Sequence, residues 1–160
     1  MNRILFLLLG SLLCCGGASA KDETAAETEN VKAGYDEALA RSLGADDYGM
    51  RSYVLVILRS SGTPVPRGEE RDAMFRGHFA NMKRLSDEGK LALAGPLDGV
   101  DGWRGLFVLV AADIDEAKRL VATDPVIEKG EMVAEYHVYY GSAALMTIRD
   151  LHGKIAKKDI

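Results

Sequence analysis

The chain has 160 residues, 48% of them hydrophobic and 28% charged, with a formal charge of −4. That is an ordinary globular composition, suggesting one domain with trimmings and enough apolar material for a real core. Lysine and arginine are scattered, with no basic stripe mixed with aromatics, so nothing supports nucleic-acid binding.

The first twenty residues differ in kind. Asn2-Arg3 is a short positive start, and residues 4–13 are an almost unbroken apolar run. Ala18-Ser19-Ala20 puts small residues where cleavage is determined, and Lys21-Asp22-Glu23 turns abruptly polar. This is the layout of a secretory signal peptide over 1–20, and it predicts export to a periplasm or out of the cell. The run is too short to span a bilayer comfortably, and it lacks the polar alternation of a buried surface helix. Both cysteines, Cys14 and Cys15, lie in this leader, so cleavage after Ala20 leaves no disulfide and no thiol chemistry. A lipid anchor on Cys14 or Cys15 is disfavoured, because Leu13 and Cys14 precede them where a small residue is usual. A membrane is expected as a partner only if that anchor forms. Without Arg3 the mature charge is −5.

Residues 21–49 read as a polar tether, with a short helix over 35–43 that carries Tyr35, Leu39 and Leu43 on one face and stops at Gly44. Residues 51–59 form the first strong strand. Tyr53, Leu55 and Ile57 face one way, Val54, Val56 and Leu58 the other, so both faces should be buried. A loop with Gly62, Pro64, Pro66 and Gly68 leads to a helix over 69–88, on which Met74, Phe75, His78, Phe79, Met82 and Leu85 recur at helical spacing. Leu91 to Ala94 is a short strand closed by Gly95-Pro96, and 103–111 is another strand apolar on both faces. Asp113 with Glu116 marks a capping-box start for a helix to about Thr123. Asp124-Pro125 breaks it, with one further turn before Gly130. Residues 132–140 are the last strand. Ser142 is placed to cap a C-terminal helix bearing Leu145, Ile148, Leu151 and Ile155, followed by a charged tail to residue 160.

The order strand–helix–strand–strand–helix–strand over 50–141 is a ferredoxin-like βαββαβ unit of the α+β class. Right-handed crossovers put the first and third strands in the middle of its antiparallel sheet. Its helices cover one face only. The other face can be covered in part by the tether and the C-terminal helix, or wholly by a second copy; each buried Val, Leu or Ile is worth about 1.5–3 kcal/mol, so a homodimer is expected.

The three histidines, His78, His137 and His152, have no metal-ligand spacing, and no phosphate loop, dinucleotide fingerprint or nucleophile elbow is present, so no metal or cofactor is expected. His78 sits on the apolar stripe between Met74 and Met82. It can be a core-edge histidine satisfied by a carbonyl, or an imidazole at the rim that moves a proton near neutral pH. Asp124 is a natural cap before Pro125, and can also hydrogen-bond one ring nitrogen of His78. Tyr136, Tyr139 and Tyr140 are packing aromatics of which one can line a pocket, and Arg104 and Asp98 are candidates to orient a polar or anionic ligand.

The run from His78 through Asp87-Glu88-Gly89-Lys90-Leu91 to Ala94-Gly95-Pro96, then Trp103-Arg104-Gly105, then Ala117 and Thr123-Asp124-Pro125 to Gly130, resembles the YCII-related (YciI-like) family. The resemblance covers roughly residues 50–141. It implies a ferredoxin-like fold assembled as a dimeric α/β barrel, with a histidine–aspartate pair in a cleft that maps onto His78 and Asp124. Related dimeric α/β-barrel proteins include isomerases, lyases and monooxygenases acting on small, often aromatic, molecules. The leader and tether depart from the many members that are short cytoplasmic chains. The expectation is a cofactor-free enzyme of the lyase or isomerase type on an unknown small molecule, with His78 and Asp124 catalytic and Arg104 and Tyr136 binding. The alternatives are a non-catalytic ligand-binding module and a purely structural dimer.

Overall fold

The computed structural model describes residues 31–158. The expected signal peptide, its two cysteines, the first part of the tether and the last two residues of the tail lie outside the described residues. From Asp36 on, the chain forms one compact unit. In chain order it comprises α1 (Glu37–Leu43), β1 (Met50–Ser60), α2 (Glu69–Asp87), β2 (Leu91–Pro96), β3 (Trp103–Leu109), α3 (Ile114–Val121), α4 (Pro125–Glu128) and β4 (Met132–Ser142). A 3-10 turn (Ala143–Thr147) and α5 (Ile148–Ile155) close it. The sheet order is β2-β3-β1-β4 with every neighbouring pair antiparallel, so the two strands apolar on both faces are indeed central. This is the α+β, ferredoxin-like arrangement.

Local chemistry ends each helix where the sequence suggests. α2 carries Glu69, Glu70 and Asp72 in its first turn and Arg84 in its last, matching the helix dipole. Gly89 then takes a left-handed φ of 69°, which lets Lys90 N–H return to Leu85 O at 2.8 Å and turns the chain into β2. At α3 the capping box forms: Asp113 accepts from Glu116 N at 2.7 Å, while the Glu116 carboxylate accepts from Ala112 N at 2.8 Å.

The helix-side core joins Val54, Val56, Leu58, Phe107 and Leu109 to Met74, Leu85, Ala117, Val121 and Val126. The other face is built on Tyr53, Ala92 and Val108, with Leu55, Leu93, Leu106 and Val110 half-buried around them. Leu145 and Met146 of the chain's own 3-10 turn pack onto it, and Tyr53 Oη donates to Ser142 O at 2.9 Å. Ser142 caps this turn through Ala144 N at 3.2 Å, so the expected C-terminal helix begins later, at Ile148. The tight turn brings Leu145 and Met146 onto the sheet, and the outer stripe of α5, Leu151 and Ile155, is left exposed. On the same sheet face, at β4, Val133 and Tyr139 remain 49% and 37% exposed.

Candidate active site

His78 and Asp124 meet although 46 positions separate them. α2 presents His78 inward on the stripe with Met74, Asn81 and Leu85. Asp124 closes α3 by donating its N–H to Val121 O at 3.0 Å, then caps α4, its Oδ1 accepting from Val126 N at 3.1 Å. The same carboxylate faces the imidazole: His78 Nδ1 lies 2.8 Å from Oδ2 and 3.0 Å from Oδ1. The capping and pairing readings of Asp124 thus hold together, because a carboxylate accepts at several sites. Asp124 has no solvent exposure, and a buried carboxylate needs such donors to be tolerated.

The imidazole is held flat as well as anchored. It stacks on Phe107 at 6.1 Å and 28°, meets Phe75 edge-on at 6.2 Å, and touches Phe79 at 5.4 Å. With Nδ1–H donating to Asp124, a neutral ring keeps its lone pair on Nε2. Among the described residues nothing hydrogen-bonds Nε2, and His78 retains 8% exposure, so it sits at the rim of the core rather than in its centre.

One turn along α2, Asn81 Oδ1 accepts from Arg84 Nη2 at 2.7 Å and lies 3.0 Å from Thr123 Oγ1. Arg84 also donates to Thr123 Oγ1 at 3.0 Å. These bonds tie the residue before Asp124 to the helix that carries His78. Neither Asn81 nor Thr123 announces this in the sequence; their side chains are common surface types whose meeting depends on the α2–α4 contact.

Arg104 is half-buried on β3, with Nη1 3.8 Å from Glu131 Oε1. Glu131 is the second buried carboxylate, 1% exposed, and nothing in the sequence pattern marked it. Arg71 grips it with two nitrogens, at 2.6 and 2.8 Å, and Val65 N–H adds a third bond at 2.8 Å. Arg71 lies seven residues before His78, hence on the same helix face two turns away, about 10 Å along the axis. Tyr136 is half-buried on the helix side of β4. It occupies the cross-strand row Ala94–Phe107–Val56–Tyr136, two strands from the Phe107 on which His78 stacks, or about 10 Å. Burial pushes its phenol pKa up. Asp98 stands apart: it is exposed, and its Oδ1 accepts from Val100 N at 3.1 Å in a turn. His137 and His152 are exposed. Among the described residues no three of His, Cys, Asp and Glu gather into a possible metal site, and no helix is long and apolar enough to cross a membrane.

No curated protein matches the chain. The YCII-related domain matches residues 52–140, a stretch that holds His78, Asp124 and nearly the whole four-stranded sheet. With more than half its length accounted for in this way, the chain belongs to the YCII-related domain family.

Proposed function

We propose that this is an exported, cofactor-free enzyme on a small molecule, in which His78 moves a proton in an elimination or isomerisation and Asp124 orients it. The observation that carries the reading is the bond from His78 Nδ1 to a fully buried carboxylate, which aims an unbonded Nε2 at the rim of the core. A base so held contributes about 10²–10⁴-fold in rate. Arg104 is the partner for an anionic group on the substrate. Its side chain is about a third exposed, and its only ion pair among the described residues, to Glu131, is 3.8 Å long, so its donors are available for bidentate binding. Tyr136 supplies an aromatic wall on the same sheet face.

The test is a screen of small unsaturated or halogenated acids on wild type and His78→Ala. Turnover in wild type, lost in a folded variant that still binds, supports the enzyme. Activity equal to wild type removes the role of His78, and binding without turnover in both leaves a ligand-binding module. The chain is further read as a homodimer whose second copy covers Val133 and Tyr139 beside Leu55 and Leu106. A monomer in sedimentation at micromolar concentration overturns that. Export rests on the leader's layout, and N-terminal sequencing of the mature protein should begin at Lys21.

A further inference from the structure

α2 contains one residue with no side chain on its packed face, and it immediately precedes the histidine. Gly77 is half-buried in the helix interior, where glycine is destabilising relative to alanine. Its backbone does not explain it, since it is absent from the positive-φ residues that need glycine. Space does. A Cβ placed at Gly77 comes within 2.9 Å of Pro125 Cγ, 3.6 Å of its Cβ and 4.0 Å of its Cδ. Carbon atoms rest at about 3.5–4.0 Å, so the proline ring would have to retreat by at least about 0.6 Å. Its φ is fixed, so apart from the pucker of Cγ the ring moves only with its own backbone. It is bonded to Asp124, so the carboxylate moves with it.

We propose that Gly77 is a positioning residue: its bare Cα lets Pro125 seat against α2 and so sets the distance from Asp124 to His78. The present 2.8 and 3.0 Å are near the optimum for a charge-assisted bond, and a retreat of half an ångström takes both beyond the usual limit of about 3.2 Å. The inference rests on the proposed partnership of Asp124 with His78, but its readout is the imidazole itself and needs no substrate.

The experiment compares wild type, Gly77→Ala, Pro125→Ala and the double variant by NMR of the His78 ring, with circular dichroism to confirm folding. Gly77→Ala should abolish the low-field, exchange-protected Nδ1–H resonance. Pro125→Ala should keep it, since Asp124 still caps α4. The double variant should regain it, because only the 3.6 Å contact with Cβ remains. Wild-type ring signals in a folded Gly77→Ala overturn the proposal. So does a double variant that fails to recover the resonance, or fails to fold while Pro125→Ala folds, since glycine would then be needed for another reason. Absence of turnover in wild type would remove the proposed reaction and leave this result standing.

Discussion

Among the described residues two carboxylates are buried against α2, and their surroundings make them opposites. Glu131 is clamped by the Arg71 fork, by Val65 N–H and at longer range by Arg104. Its partner is permanently charged and the pairing has no proton to exchange. Asp124 has one backbone donor and an imidazole whose protonation can change. Both are sealed from water, yet one is a fixed clamp joining the loop before α2 to the start of β4, and the other is held by a ring that can carry its proton on either nitrogen. Burial of a charge therefore does not by itself signal chemistry; the identity and remaining valence of its partner do.

If that contrast is right, Glu131→Ala has the largest effect on stability, about 3 kcal/mol. Removing one partner of a buried pair costs about 3–5 kcal/mol, and the lower end applies because Arg71 keeps 21% of its side chain in water. Chemical denaturation measures it, and a loss below about 1 kcal/mol would make the clamp ornamental. Asp124→Asn should cost less, about 1 kcal/mol, since asparagine is an equally good cap and a neutral hydrogen bond replaces a charge-assisted one. Its distinctive effect is on the ring: the amide N–H donates to Nδ1 and sends the imidazole proton to Nε2. Nitrogen-15 shifts that still show Nδ1–H in this variant would contradict the pairing. Arg104→Met should change stability by less than about 1 kcal/mol, because its ion pair is long and a third of the side chain is exposed. A larger loss would move Arg104 from the ligand's side to the clamp's.

The smallest effect is a pH dependence outside both buried sites. The Tyr140 hydroxyl and backbone N–H groups hold Asp46 below the usual carboxylate range, Lys129 lowers Glu70, Lys83 lowers Asp87, and Ala112 N–H with Lys90 lowers Glu116. A carboxylate whose folded pKa is depressed gives up its proton more readily in the native state. The stability these groups add is complete above the ordinary range of about 4–5 and is lost as pH falls below it. Denaturation midpoints between pH 6 and pH 3 should fall, and Tyr140→Phe should flatten that slope. An unchanged slope in Tyr140→Phe would assign the acid sensitivity to other groups.

Much of the fold was legible because it depends on local periodicity. The two-sided apolar runs in β1 and β3 required a central place in the sheet, and Asp113 with Glu116, or Gly89 after Leu85, specify their turns from neighbours within a few residues. His78 and Asp124 were legible as candidates for the same reason, one on an apolar stripe and the other before Pro125. Glu131 was not, because a glutamate beside Gly130 at a strand's start looks like solvent-facing polarity until Arg71, 60 residues earlier, is brought over it. Gly77 was invisible too, since the value of a missing side chain depends on what lies opposite.

The chain's own order of residues determined the elements, their caps, the antiparallel α+β sheet and which strands lie inside, since hydrophobic spacing and turn chemistry act over short distances. Tertiary structure alone decided how close α2 comes to Pro125, which carboxylate receives a guanidinium and which an imidazole, and that Leu145 and Met146 fold back onto the second sheet face. Those outcomes depend on ångström-scale contacts between residues far apart in sequence, and no local pattern encodes such distances.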